Sequence, residues 1–166
     1  MQQYDSAIAA LKQAVNLDEQ LTDAYMLLSQ AYFLSKHYDD AITSINKVLR
    51  VQPGNISAMG NLGSIYLEAG KPKQALEVFQ KVVAAAPKLA AAYSNIGHCY
   101  FRIKDYGNAA GAFGKAMELG SRNAKDLPAM ALSCKAIGDM QHALQLEALA
   151  RRQDPSFSLS SDPDKY

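Results

Sequence analysis

The 166-residue chain has no tryptophan, only two cysteines and a formal net charge of +1. A charge this close to zero gives no electrostatic reason to expect binding to nucleic acid or to an anionic membrane. No apolar run approaches the length of a membrane-spanning helix. No secretory signal is evident, although one could have been removed from a longer precursor. We therefore expect a cytoplasmic protein.

The sequence also lacks the patterns of catalytic and metal sites. It has no phosphate-cradling glycine loop, no nucleophile with an assigned base and no pattern of paired carboxylates held toward a shared cavity. The histidines His37, His98 and His142 lie in different elements, and neither a histidine nor a carboxylate stands at ligand spacing beside His98. Cys99 and Cys134 are expected to be buried free thiols rather than a disulfide or a ligand pair. We expect no enzymatic activity, cofactor or metal.

What the sequence does contain is a repeat of 34 residues, the period of a helix-turn-helix unit. Three other series share this register: aromatic residues, small residues where a neighbouring helix must approach closely, and prolines at the unit ends. The period is marked by Ala7, Ala41, Ala75, Ala109 and Ala143, and the other series by Tyr32, Tyr66 and Tyr100, by Ser29, Gly63, Gly97 and Ala131, and by Pro53, Pro87 and Pro155.

The segments 92–97 (AYSNIG) and 106–110 (YGNAA) are close to a known consensus. Through them the chain resembles the tetratricopeptide repeat family over residues 2 to 155. The resemblance implies an all-α fold, a right-handed α-α superhelix (solenoid) with the first helix of each pair on the inner surface. Cys134 in place of tyrosine, Glu147 in place of an aromatic residue and the missing tryptophan depart from the family pattern in the last unit.

The register also predicts the domain organisation. A lone second helix should span 3–17, and helix pairs should span about 22–51, 56–85, 90–119 and 124–153. We therefore expect one repeat domain over 1–155, with a half repeat at 3–17 and full repeats at about 22–55, 56–89, 90–123 and 124–155. Residues 156–166, rich in serine and aspartate, are expected to form a flexible tail.

The lone helix lacks a first helix of its own unit. Either the chain is a fragment of a larger repeat protein, or the exposed face pairs with a second copy or a partner. In either case we expect Ile8, Leu11 and Val15 to be covered by another chain or to form a visible apolar patch.

In this family the face of each first helix opposite its packing residues lines a concave groove. We expect a peptide-binding site there, apolar at its start and modestly basic later, although isolated surface cations are also explained by solvation. Ser94 and Phe101 lie on the same face. The predicted site residues are Met26, Gln30, Phe33, Asn61, Ser64, Asn95, His98, Arg102 and Lys125.

Asn61 and Asn95 occupy the same repeat position. A carboxamide offers both a donor and an acceptor, so these side chains can hydrogen-bond the backbone of an extended peptide. The arrangement resembles the asparagine ladder in the repeats of the O-linked N-acetylglucosamine transferase. The alternative is two solvated helix residues.

Gly107, Gly111 and Gly114 are unusual within a second helix, because each interior glycine costs up to about 1 kcal/mol relative to alanine. Closer stacking of the adjacent helix is the first explanation. The second is a smooth outer patch on which another helix docks.

Three classes of function remain. The first is a protein–protein interaction scaffold that binds a peptide or partner segment in the groove and assembles a multiprotein complex. The second is a chaperone that resembles those of type III secretion systems and holds client segments. The third is a substrate-recruiting repeat arm of a larger enzyme. The expected partner is a protein or an extended peptide, without nucleic acid or membrane insertion, and self-association through the open amino-terminal helix is left open.

Overall fold

A computed structural model describes residues 2–18 and 20–160, with side chains from Tyr4 onward. These residues form nine α-helices and no strand. The helices are α1 (Gln2–Leu17), α2 (Thr22–Leu34), α3 (Tyr38–Val51), α4 (Ile56–Glu68), α5 (Pro72–Ala85), α6 (Ala90–Arg102), α7 (Tyr106–Glu118), α8 (Asp126–Ala136) and α9 (Met140–Gln153). The predicted all-α class is confirmed, with one unpaired helix and four pairs among the described residues.

The turns between the two helices of each pair share one backbone conformation. The second residue after each first helix adopts a positive φ, which lets the chain leave the helix and reverse direction. These residues recur every 34 positions as Lys36 (φ 63°), Gly70 (71°), Lys104 (64°) and Gly138 (85°). Two of the four turns therefore place a lysine where glycine is the least strained residue.

The chain divides into two compact units, Met1–Val82 and Val83–Tyr166, with the boundary inside α5. The core of the first unit is built from α1 to α4 around Leu28, Ile45 and Leu62. Ile8 and Val15 are only 9% and 7% exposed and belong to this core, while Leu11 packs against it. The expected apolar patch on α1 is therefore wrong for these residues, because they form the inner face of an amphipathic helix.

The small residues of the first helices lie where the two helices of a pair touch. In the first pair, the buried hydroxyl of Ser29 donates to the carbonyl oxygen of Ala41 at 3.0 Å. In the second pair, a Cβ at Gly63 would lie 2.7 Å from the ring of Phe79. The predicted close approach is confirmed at Gly63, because even a Cβ there would overlap the Phe79 ring.

The second unit repeats this contact and buries both thiols. A Cβ at Gly97 would lie 2.6 Å from the ring of Phe113. Cys99 and Cys134 are free and buried, as predicted. Burial raises the pKa of the Cys99 thiol to about 12. Burial also raises the pKa of Cys134, with a smaller contribution from Asp139.

The chain beyond α9 returns to the core of the second unit. Phe157 and Leu159 pack against the cluster that contains Leu127 and Leu146. These two residues belong to the predicted flexible tail, and their contacts place them on the core of the last pair. Residues 161–166, the remainder of that tail, lie outside the described residues.

The glycines of α7 contradict our first explanation of them. A Cβ added at Gly107, Gly111 or Gly114 would meet nothing within 4 Å. Closer stacking of an adjacent helix therefore does not account for them. The physical reason is their position, since α7 buries Ala109, Phe113 and the residues on that face, and the glycines lie on its other sides.

Candidate peptide-binding site

A cavity of about 440 Å³ lies between the first helices α2 and α4 of the unit Met1–Val82. Four residues of the predicted site line it, which are Gln30 and Phe33 from α2 and Asn61 and Ser64 from α4. Residues of equal repeat position lie side by side on neighbouring helices, and this brings Gln30 and Ser64 together across the cavity.

The cavity combines an apolar wall with polar groups. Phe33, Leu34 and Ile65 supply the wall, and none of the described residues that line the cavity is charged. The Phe33 ring packs on Tyr38, with ring centroids 6.1 Å apart, and this contact holds it in place. Such a lining suits an uncharged side chain better than a carboxylate or an ammonium group.

The polar side chains differ in whether they already form hydrogen bonds within the protein. Ser64 donates to the carbonyl oxygen of Gly60 at 3.1 Å. Among the described residues, no group hydrogen-bonds the carboxamides of Gln30, Asn61 or Asn95. The donors and acceptors of these three side chains are therefore free to bind a peptide backbone.

The other predicted site residues lie outside this cavity. Met26 is half-buried and packs against the core of the first unit. In the second unit, Asn95 is half-buried and Arg102 is exposed at the end of α6. Lys125 is exposed and directly precedes α8. Peptide binding by these residues stays a prediction.

His98 contacts a carboxylate that its sequence neighbourhood does not contain. Its Nε2 lies 3.1 Å from Oδ1 of Asp126, which is 5% exposed. The same oxygen accepts from the Ser94 hydroxyl and from the Asn123 amide, each at 2.8 Å. The His98 ring also meets the ring of Phe113 edge-on, with centroids 5.0 Å apart. The expectation that His98 has no carboxylate beside it is therefore wrong in three dimensions.

The groove face of α6 is also more buried than expected. Ser94 is buried beside Asp126, and Phe101 is buried among residues of α7 and α8. Neither residue can line an open groove, because α8 packs over this part of α6.

A serine, a histidine and an aspartate meet here, but the order of contacts excludes a catalytic triad. A triad places the histidine between the serine and the aspartate, so that it can accept the serine proton. Here Asp126 stands in the middle, and Ser94 and His98 both bond to it. Since a carboxylate only accepts hydrogen bonds, the contact places the donated proton on Nε2 of His98. The cluster therefore joins α6 to α8 without activating a nucleophile.

Two kinds of residue that the structure places at these sites were not identified from the sequence. Ser29 and Ile65 line the cavity, although their repeat positions predict packing residues. Asp126 was missed although a signal exists. It occupies the repeat position filled by the buried alanines Ala24 and Ala58 in earlier units. A carboxylate at an alanine position indicates that donors must lie nearby.

Two further observations bear on other functions. No group of three histidine, cysteine or acidic side chains that could hold a metal ion occurs in the part of the chain that the structure describes. In the same part, no helix combines the length and apolar character needed to cross a membrane.

Comparisons with known proteins agree with the fold. Two family models described as Tetratricopeptide repeat match residues 1–64 and 61–125. No curated protein matches the chain by sequence.

Among solved structures, "Crystal structure of MamA" is 21% identical with a TM-score of 0.82, covering 98% of this chain and 92% of that one. "MamA 41-end from Desulfovibrio magneticus RS-1" is 24% identical with a TM-score of 0.82, covering 92% and 88%. "Crystal structure of YrrB: a TPR protein with an unusual peptide-binding site" is 21% identical with a TM-score of 0.78, covering 99% and 85%. At this identity the likeness establishes the shared fold.

Proposed function

Because the chain belongs to the tetratricopeptide repeat family, we propose that it is a protein–protein interaction scaffold that binds an extended peptide segment and so gathers proteins into a complex. The observation that carries this proposal is the cavity between α2 and α4, whose volume of about 440 Å³ falls in the usual range of ligand pockets. The peptide-binding site in the name of the YrrB structure supports the same class of ligand.

The cavity favours one type of peptide. An uncharged, apolar side chain would fill the space beside Phe33, Leu34 and Ile65. The carboxamides of Gln30 and Asn61 would then bond to the peptide N–H and C=O groups on either side of it. Recognition of this kind reads one side chain and the extended backbone, so it accepts several sequences.

The test uses decapeptides selected from a random library on the wild-type chain and measured by fluorescence anisotropy. Replacing Gln30 and Asn61 with alanine should weaken binding by about 1–3 kcal/mol, or about 5- to 150-fold, because the lost groups would leave peptide groups unpaired. The melting temperature should not fall, since alanine is the better helix former and neither carboxamide has a described hydrogen-bond partner.

The matched control is Asn46→Ala, since Asn46 is an exposed asparagine in the interior of α3. This variant should leave peptide affinity unchanged. Equal affinities for wild type and the Gln30 and Asn61 double variant would refute the carboxamide contacts. A large loss of thermal stability in that variant would make the two residues structural.

A further inference from the structure

A second apolar surface lies in the unit Val83–Tyr166, between the second helices α7 and α9. Two cavities of about 410 and 260 Å³ follow one another along it. Both are lined by Met117, Met130 and Leu149, so they form one continuous depression. We call this the α7–α9 groove. Its residues are separate from those of the proposed peptide site.

The walls of the groove are apolar and partly open to solvent. Ala110 and Met117 of α7 face Leu146 and Leu149 of α9, and Met130 of α8 forms the floor. The Met117 side chain is 42% exposed. Methionine-lined grooves suit helical ligands, because the unbranched side chain adapts to the shape of its partner.

Two glycines lie next to the α7 residues that line the groove. Gly107 and Gly114 share a helix face with Ala110 and Met117, since the four residues are spaced by three and four positions. A Cβ at either glycine would meet nothing within 4 Å. The backbone of a bound helix can therefore approach α7 closely at these positions.

The groove carries opposite charges at its two ends, an exposed arginine and a half-buried aspartate. Arg122 lines the cavity at the carboxyl-terminal ends of α7 and α9. Asp139 lines the other cavity, at the start of α9. The His142 N–H and ring both hydrogen-bond this carboxylate and lower its pKa, so it is charged at neutral pH. Asp126 also lines the groove, but it is buried. Its carboxylate already accepts hydrogen bonds from Ser94, His98 and Asn123.

The length of the groove limits its ligand. The α9 wall runs from His142 to Gln153, which is about 16 Å at a rise of about 1.5 Å per residue. This corresponds to about three helical turns. The tail segment 161–166 (SDPDKY) has two aspartates, a lysine and no aliphatic residue, so its composition does not supply such an apolar face.

We propose that the α7–α9 groove binds one amphipathic helix of a partner protein, about three turns long, with acidic residues at its amino end beside Arg122 and basic residues at its carboxyl end beside Asp139. The apolar face of this helix packs on Met117, Met130 and Leu149. The charge order agrees with helix stability, since acids favour the amino end of a helix and cations its carboxyl end.

The experiment uses the full chain and two fluorescein-labelled 14-residue peptides. The first probe has glutamates in its first turn, leucine and methionine on one face and lysines in its last turn. The second probe exchanges the glutamates and lysines. Wild type should bind the first probe at least about twofold more tightly, because exposed ion pairs contribute about 0.2–1 kcal/mol each. Arg122→Glu should reduce or reverse this preference.

Gly114→Leu tests the groove itself. A leucine there would fill the space against Ala110 and Met117, so we expect affinity for the first probe to fall about tenfold or more. The melting temperature should not fall, since leucine is a better helix former than glycine and a Cβ at this position meets nothing within 4 Å. The control is Gly60→Leu in α4, because a Cβ at Gly60 also meets nothing within 4 Å and Gly60 belongs to the other unit, Met1–Val82. It should leave binding unchanged.

Three results would overturn the proposal. The first is no binding of either probe to wild type with a dissociation constant below about 1 mM. The second is a loss of binding caused by Gly60→Leu and not by Gly114→Leu, which would place the probe elsewhere. The third comes from sedimentation equilibrium: a wild-type dimer that Gly114→Leu dissociates would identify a second copy of this chain as the occupant.

Discussion

Replacing Gly97 with alanine places a methyl group against the ring of Phe113. The new Cβ would lie 2.6 Å from two ring carbons, whereas ordinary van der Waals contact begins at 3.4 Å. Phe113 is 1% exposed and is flanked by the ring of His98. The ring has no free space to enter, so either it or α6 must shift.

The magnitude follows from two opposing effects. Overpacking a well-packed core costs about 1–3 kcal/mol. Alanine in place of an interior helix glycine returns about 1 kcal/mol. Because Phe113 is fully enclosed, we place the steric cost in the upper half of its range. Gly97→Ala should therefore destabilise the protein by about 1–2 kcal/mol, which lowers the melting temperature of a chain of this size by about 2–8 °C.

Gly114→Ala is the matched comparison for Gly97→Ala. The substitution is the same and lies within a helix of the same unit, but its Cβ meets nothing within 4 Å. It should raise the melting temperature by about 2–4 °C, since only the gain in helix propensity remains. Thermal unfolding followed by circular dichroism measures both variants. If Gly97→Ala melts at or above wild type, the close approach of α6 to Phe113 does not constrain residue 97.

Two further outcomes are expected from features of the same unit. Lys104→Gly should raise the melting temperature by about 2–4 °C, because it relieves about 1 kcal/mol of strain at φ 64°; an unchanged value would contradict that strain. The pKa of Cys99, raised by burial from 9.0 to about 12, contributes stability that is complete below pH 9 and is lost as the pH rises towards 12. Melting temperatures at pH 8 to 11 should therefore fall more steeply for wild type than for Cys99→Ala, and equal slopes would refute the assignment.

The helices could be predicted because the same pattern of alanine, aromatic and small residues recurs several times along the chain. The 34-residue interval aligns each buried alanine with those of other units, so an error at one position is corrected by the rest. The same register identified Gln30, Phe33, Asn61 and Ser64 as residues of one helix face, and all four line the cavity between α2 and α4. The helix α1 shares this register through Ala7, but Ile8 and Val15 were assigned to the wrong surface because the sequence shows no first helix of their own unit.

Contacts that do not repeat could not be predicted in this way. Asp126 and His98 occupy unequal repeat positions, 28 residues apart, and no other unit contains the pair. The prediction that the glycines of α7 allow closer helix stacking was wrong for a different reason. The absence of a side chain shows that space is needed on one side of a helix, but it does not show whether the protein itself or a ligand fills that space.

The buried carboxylate of Asp126 restricts the order in which these repeats can be arranged. Most units of a repeat array interact through similar apolar faces, so they can in principle be exchanged or duplicated. A pair with alanine at this position, such as α4 and α5 with Ala58, would leave Ser94 and His98 without their acceptor. Moving the last pair elsewhere would bury Asp126 without two of its three hydrogen-bond partners, which is costly. The last two helix pairs, α6–α7 and α8–α9, therefore depend on each other. A redesigned repeat array must include both of them in this order.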